Sequence, residues 1–309
     1  MKIITADAID GLRLLPDGVV DMCVTSPPYY RMRDYGIKGQ IGLEPTPQVY
    51  IKRLIDVFEE VKRVLKSDGT LWIIIGDSYA SHKRANIKKG KSNHLLEMQN
   101  IDLTEIKQKD LIGIPWMLAF ALRTCGWYLR QDLIWHKPNP MPESVTDRCT
   151  KAHEYIFLLS KSLRYYFDHK AIKEPCSPAN VKDFLRRKTF DNKGKGVGKY
   201  EEVRPDLCRS RKAYMPADFK RNKRSVWPVN TQGFNGAHFA VFPPDLIRPC
   251  ILAGSKKGGI VLDPFIGSGT TAEVAIEEHR RCIGIEINPR YAEMARKRMS
   301  QAELLQYQT

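Results

Sequence analysis

The 309-residue chain has no apolar run approaching the roughly 20 residues that a membrane span requires. Its opening, MKIITADAID, turns acidic at once and lacks the basic-then-apolar order of a secretory signal, so a cytoplasmic location with no membrane partner is expected. Cysteine is thinly spread: seven residues, at 23, 125, 149, 176, 208, 250 and 282, with no Cys-x-x-Cys pair. That argues against zinc, leaves no metal site to expect, and favours reduced thiols. No internal repeat of fixed period is visible. Acidic residues are also short in supply, 35 Asp and Glu against 50 Lys and Arg, a net charge of +15. Charge does not choose a fold, but this excess suits a polyanionic partner. What is present, 42% hydrophobic and 28% charged residues, is the composition of an ordinary globular protein. The length suits one large α/β domain carrying an insertion.

The stretch VDMCVTSPPYYRMRDYG, residues 20 to 36, poses the first question. An apolar strand stops at two prolines, which donate nothing to a sheet ladder and fix their own φ, so the backbone leaves the sheet stiffly with tyrosines at its tip. Next, Thr46 is placed to cap a helix whose first position is Pro47, with apolar residues at 50/51, 54/55, 57/58, 61 and 64/65. Gly69 is expected to end that helix, and TLWIIIGDSY to follow as a strand buried on both faces. Residues 82 to 110 are lysine-rich and read as a loop. A helix in IPWMLAFALRTCG and strands in YLRQDLIWHKP and HEYIFLLSK follow. The pattern predicts a doubly wound α/β fold with a mixed, mostly parallel sheet.

From 161 to 224 the pattern breaks down. Residues 176 to 224 carry 15 Lys or Arg against 6 Asp or Glu, so under a sixth of the chain holds more than half of the net charge. Taken alone such a run is a solvated surface; between ordered α/β elements it reads as an inserted recognition region. Order returns with a helix in FPPDLIRPCILAGS, a strand in GGIVLDPF, a glycine turn into the helix of IGSGTTAEVAIEEH, a strand in RRCIGIEI, and a last helix capped by Asn288 with Pro289 at its first position. The expected organisation is therefore 1–160, an insertion at 161–224, and 225–309.

In VLDPFIGSGTTAEVAIEEHRRCIGIEINP a strand enters a tight turn with Gly267 and Gly269, and Glu286 ends the next strand 17 residues beyond Gly269. Glycines let a backbone approach a ligand, and an acid at about this distance accepts hydrogen bonds from a ribose. The turn has Gly-Thr-Thr where a phosphate-binding loop needs Gly-Lys-Ser/Thr. With Asp263 before it and Glu286 after it, the missing lysine points to S-adenosylmethionine, whose tail is an amino acid rather than phosphates.

TSPPYY together with DPFIGSGTT resembles the DNA amino-methyltransferases, which methylate the exocyclic nitrogen of cytosine or adenine. The order, Pro-Pro loop first, basic insertion next and glycine turn last, resembles their circularly permuted β group. GTLWIIIGDSY, LIWHKPNPMPESVTDR, KAHEYIFLL and HFAVFPPDLI look like further family blocks in sequence. The resemblance implies a Rossmann-like methyltransferase fold with an inserted target-recognition region. It implies S-adenosylmethionine as cofactor and double-stranded DNA as partner, with a separate cognate restriction endonuclease and a homodimer left open. It makes Ser26, Pro27, Pro28 and Tyr29 catalytic: Ser26 Oγ and the Pro27 carbonyl would accept the amino N–H bonds, and Tyr29 would stack on a flipped base. Around the cofactor it implies Asp7, His238, Phe239, Asp263, Phe265, Gly267, Ser268, Gly269, Thr270 and Glu286, with Pro243 in the same block as His238.

Ordinary structural roles stand beside several of these: a helix-capping aspartate for Asp7, core aromatics for Phe265 and Trp135, a structural histidine for His238. Asp77 and Ser78 either border the cofactor or terminate a strand. For DNA the resemblance implies Trp135 and Lys137, and the basic insertion adds Arg186, Arg187, Lys223 and Arg224. Cys176, in EPCSP, follows no buried strand, which disfavours a cysteine nucleophile that attacks a ring carbon. Within the family it resembles, serine before Pro-Pro-Tyr is commoner in cytosine-N4 enzymes and aspartate in adenine-N6 ones, so the resemblance implies cytosine N4 ahead of adenine N6, although both bases present an amino group beside a ring nitrogen. An RNA or protein amide methyltransferase, or a DNA-binding scaffold without catalysis, are the competing readings; motif order opposes the first and the intact motifs oppose the second.

Overall fold

Residues 1–80, 106–179, 181–182, 219–231 and 242–306 are described by a computed structural model of the chain. Its contacts divide into two units, Met1–Asp168 with Ser225–Thr309, and His169–Arg224.

The first unit is built on strands β1 (Lys2–Thr5), β2 (Val20–Thr25), β3 (Leu65–Ile75), β4 (Tyr128–His136), β5 (His153–Ser160), β8 (Val226–Pro228), β9 (Ile260–Asp263) and β10 (Arg281–Glu286). They form one sheet in the order β1-β10-β9-β2-β3-β5-β4-β8. Neighbours from β1 through to β3 are parallel, as are β4 and β8, while β5 runs antiparallel to both β3 and β4. The sheet is thus mixed and mostly parallel, as expected. Leu71 to Ile75 are all buried, the signature of a strand covered on both faces.

Helices α1 (Ala8–Arg13), α2 (Pro47–Val64), α3 (Ile114–Thr124), α4 (Pro244–Gly254), α5 (Thr270–Glu277) and α6 (Pro289–Gln306) cover that sheet. The Thr46 side chain accepts from the Val49 N–H at 3.2 Å, and Pro47 opens α2 as predicted. Tyr50, Leu54, Val57, Phe58, Val61 and Val64 make the buried stripe of that helix. Asn288 likewise caps α6, accepting from the Arg290 N–H at 3.0 Å.

One boundary differs from the sequence reading. Helix α2 ends at Val64, not at Gly69, because Leu65 turns extended (φ −69°, ψ 141°), is fully buried, and pairs with Val20. A register shift between Val20 and Met22 absorbs the residues that follow. Gly69 serves that irregular pairing, since a Cβ there would stand 3.1 Å from the Asp21 carbonyl oxygen.

In the second unit β6 (Glu174–Pro175) pairs antiparallel with β7 (Lys220–Arg221). The Glu174 carboxylate accepts from Arg221 Nε at 2.9 Å and from Arg224 Nε at 2.6 Å. Most of the expected loop at 82–110, and residues 183–218 of the basic insertion, lie outside the described residues. Among the described residues no helix is long and apolar enough to cross a membrane.

Candidate active site

In parallel sheets the carboxyl ends of adjacent strands form one edge, and ligands sit in the crevice outside it. Along this edge stand Asp7 after β1, Glu286 closing β10, the glycine turn after β9, Ser26 to Tyr29 after β2, and Gly76 and Asp77 after β3. The reversed β5 brings His153 and Glu154 to the same edge by its start, and β4 brings Trp135 and Lys137 by its end. All of these groups line one cavity of about 650 Å³, within the range of small-molecule sites. The two motifs, some 240 residues apart in sequence, meet there.

At one end lies the glycine turn. The Glu286 carboxylate accepts from the Gly267 N–H at 2.9 Å on one oxygen and from the Asn288 N–H at 2.8 Å on the other. Burial pushes its carboxyl above the ordinary glutamate value, opposed by those two N–H groups. Each oxygen keeps acceptor capacity toward the cavity. Gly267 has φ +53°, a left-handed value that suits glycine. Asp7 caps α1 through the Ile9 N–H at 2.9 Å and also lines the cavity. Phe265, Ser268 and Thr270 line it too, and the two hydroxyls accept from Arg298 at 3.2 and 3.1 Å.

Asp263 and Gly269, expected on the cofactor, stand behind the wall instead. Asp263 is fully buried, and its carboxylate accepts from Thr25 Oγ1 at 2.6 Å, Thr271 Oγ1 at 2.6 Å and the Phe265 N–H at 3.0 Å. It therefore ties β2, β9 and α5 together. Burial lifts its pKa to about 6 despite those three donors. Gly269 (φ +95°) lets α5 approach α6, since a Cβ there would lie 2.8 Å from the Ala295 Cα.

At the other end lies the Pro-Pro loop. The Tyr50 hydroxyl donates to the Pro28 carbonyl at 2.7 Å, fastening the loop to α2. The Tyr29 ring lies over Gly76, where a Cβ would come within 2.7 Å of it. Its hydroxyl donates to Glu154 Oε2 at 2.5 Å, and Lys137 Nζ pairs with the other carboxylate oxygen. Burial first, then the Glu154 charge, hold the Tyr29 phenol well above its ordinary pKa, so it stays protonated. Trp135 is buried with its indole N–H donated to the Val229 carbonyl at 2.8 Å, and the Lys137 ammonium sits 4.4 Å from its ring centroid. Trp135 is thus both core aromatic and cavity wall.

Asp77 likewise does two things. It lines the cavity, and its carboxylate caps α3 by accepting from the Gly113 and Ile114 N–H groups at 3.0 Å. Lys151 Nζ donates to the Asp77 carbonyl at 2.8 Å, and burial lowers its pKa.

Sequence reasoning missed Gly76, Lys151, Glu154, Tyr35 and Tyr291 among the lining residues. Glu154 had a usable signal: a charged residue opening an otherwise apolar strand, in a block already singled out. Tyr35 and Tyr291, edge to face at 6.4 Å, come from separate segments and had none. His238, Phe239, Arg186 and Arg187 lie outside the described residues. Lys223 and Arg224 belong to the second unit, as does Cys176. Among the described residues no cysteine lines the cavity.

A family model described as DNA methylase matches residues 20–297. The type II methyltransferase M.SmaI of Serratia marcescens is 47% identical over 300 residues, covering 96% of this chain and 90% of that protein. Two solved structures share the fold. PvuII DNA methyltransferase (cytosine-N4-specific) superposes with a TM-score of 0.62 at 18% identity, over 96% of this chain and 85% of that one. A DNA modification methylase of Thermus thermophilus, complexed with S-adenosyl-L-methionine, gives 0.60 at 23% identity over 97% and 93%. The chain therefore belongs to the N6/N4 DNA methylase family, and it is an S-adenosylmethionine-dependent DNA methyltransferase.

Proposed function

We propose that this chain is a site-specific modification methyltransferase of the circularly permuted β group. It moves a methyl group from S-adenosylmethionine directly to the exocyclic nitrogen of a base flipped out of double-stranded DNA, that nitrogen being cytosine N4. The observation that carries this reading is the single cavity lined by both Ser26–Tyr29 and Gly267–Glu286.

The residues at the glycine end fit the cofactor. Glu286 offers acceptor oxygens to ribose hydroxyls, Phe265 an apolar face to adenine, and the turn has no lysine that would call for phosphates. Asp7, Gly267, Ser268 and Thr270 complete that end, and Asp263 and Gly269 hold its wall. Bound there, the cofactor supplies an electrophilic methyl on a sulfonium sulfur.

The remaining work falls to the chain. An amino group conjugated with its ring is a weak nucleophile. Ser26 Oγ and the Pro27 carbonyl, accepting its N–H bonds, favour a more tetrahedral nitrogen and stabilise the positive charge that develops. Two prolines and the Tyr50 bond keep these acceptors in place, so little reorganisation accompanies reaction. The Tyr29 ring, held between Gly76 and Glu154, offers a stacking face for the extruded base.

Cytosine is supported by the serine before Pro-Pro-Tyr and by the lining of the base end. Along the Watson–Crick edge cytosine carries two acceptors beside its amino group, N3 and O2, whereas adenine carries N1 there and N7 on the opposite side of the amino group. Lys137 and Lys151 both line that end, and each ammonium has donors beyond the bond already described. The relative's name, a type II methyltransferase, supports a cognate endonuclease acting on the same DNA site. The basic segment within 161–224, with Arg186, Arg187, Lys223 and Arg224, is the region we assign to target recognition.

The test is methylation of plasmid DNA with labelled S-adenosylmethionine, the modified base mapped at single-base resolution. Ser26→Ala is expected to lower the rate by about 100-fold, the scale of a lost transition-state hydrogen bond, with cofactor binding kept. Methyl transfer only to RNA or protein would overturn the reading, and methyl groups on adenine N6 would overturn the cytosine assignment.

A further inference from the structure

Among the described residues two exposed large apolar side chains line the cavity, Met32 and Met141, and the chemistry above uses neither. Met141 is 86% exposed against 54% for Met32, and no large apolar side chain among the described residues is more open. It stands four residues past Lys137, at the base end. Its segment is stiff. Pro140 and Pro142 flank it, each fixing its own φ, and a residue that precedes proline is kept extended. On one side Asn139 is fastened to Thr231: its Nδ2 donates to the Thr231 carbonyl at 3.1 Å, and its Oδ1 accepts from the Thr231 N–H at 2.8 Å. On the other side the Glu143 carboxylate accepts from Arg148 Nη1 at 2.5 Å, and the Arg148 guanidinium lies 3.9 Å from the Tyr79 ring centroid. The chain is thus anchored on both sides of a tip that holds an apolar side chain out in water, where packing gives it no work.

What covers that side chain follows from the reaction. A base that reaches the Tyr29 ring has to pass the rim of the cavity, so the duplex lies across the mouth where Met141 stands. The departing base leaves a gap: its neighbours in the stack lose their contact, and its partner loses its pair. Apolar wedges placed between base steps, methionine among them, replace part of that lost contact. Methionine suits the place because its unbranched thioether adapts to an irregular gap and makes favourable contacts with aromatic rings. We propose that Met141 is a wedge that enters the duplex at the place the target base vacates, and so holds that base in the cavity. The inference rests on the reading that the base is flipped out, and adds the residue that keeps it out. The two prolines and the two anchors leave little freedom to lose on insertion.

The test uses the full chain and two duplexes carrying the mapped site, one fully paired and one with a mispairing base opposite the target. A mispaired base costs less to extrude, so a wedge matters less there. Met141→Ala should slow single-turnover methyl transfer about tenfold or more on the paired duplex, yet stay within about two-fold of wild type on the mispaired one. Met141→Leu, apolar and of similar volume, should keep most of the rate. Met141→Gln, similar in length but polar, should lose it, and it carries the test if Met141→Ala has no melting transition. The melting temperature should stay within about a degree of wild type, because so exposed a side chain adds little to the core. Met141→Ala as fast as wild type on the paired duplex, an equal loss on both duplexes, or Met141→Gln as fast as Met141→Leu would overturn the proposal. A pairing-dependent loss in Met32→Ala, with none in Met141→Ala, would overturn it too. If Met141→Ala loses nothing while the wild type still binds the mispaired duplex more tightly than the paired one, flipping stands and only Met141 falls. A wild-type chain that methylates no DNA removes both.

Discussion

At the scale of single residues, several side chains carry a structural and a lining role together. Asp7 caps α1 and lines the cavity; Asp77 caps α3 and does the same. A helix cap and a place on the cavity wall do not exclude each other, because helix N-termini crowd the carboxyl edge of such a sheet. Asp263 is the opposite case: an acid beside the glycine turn whose oxygens are all engaged with Thr25, Thr271 and Phe265. Its pH behaviour follows from burial. The carboxyl is raised from an ordinary 3.8 to about 6 in the folded chain, so the folded state binds its proton more tightly. Its favourable contribution is complete below about pH 4 and is lost as pH rises through 6. Relative to Asp263→Asn, the wild type should lose about 3 kcal/mol of unfolding free energy across that window. Denaturant unfolding of the two proteins at pH 4 to 7 measures it, and a difference independent of pH would contradict the assignment.

At the scale of elements, strand identity was readable and strand placement was not. The apolar runs at 71–75 and 153–160 announce buried strands, but nothing local says that β5 reverses and so brings Glu154 to the same edge as Ser26. The start of α2 was legible because Thr46 and Pro47 act on their own neighbours. Its end was not, because the stop at Val64 depends on Leu65 pairing with Val20, some 45 residues away. Gly76 shows the same non-locality: it reads as the end of a strand, and its function is to make room for the Tyr29 ring. Gly76→Ala should displace that ring and lower methyl transfer about tenfold or more, with cofactor affinity nearly kept, as measured by single-turnover assay beside calorimetry. Asp77→Ala should cost about 1–2 kcal/mol, since it uncaps α3, and a thermal melt would register it. An unchanged melting temperature would mean that the cap is replaced by other groups.

At the scale of the whole molecule, the net charge of +15 bears on how the chain meets DNA rather than on how it folds. If the basic insertion contacts phosphates, Lys223→Glu should weaken DNA binding and reduce the slope of log affinity against log salt by about 1 or more. Arg224→Glu would also break the pair with Glu174 and loosen the β6–β7 hairpin. Binding isotherms at several salt concentrations decide the matter, and an unchanged slope for Lys223→Glu would move the contact elsewhere. By itself the sequence determined the alternation of strands and helices, the caps, and the two motifs, because periodicity, proline and glycine act over a few residues. The tertiary structure alone decided that the motifs face one cavity, that Asp263 and Gly269 stand behind its wall, and that Glu154 meets Tyr29. Those outcomes depend on strand order and direction, which are fixed only when distant segments pack against one another.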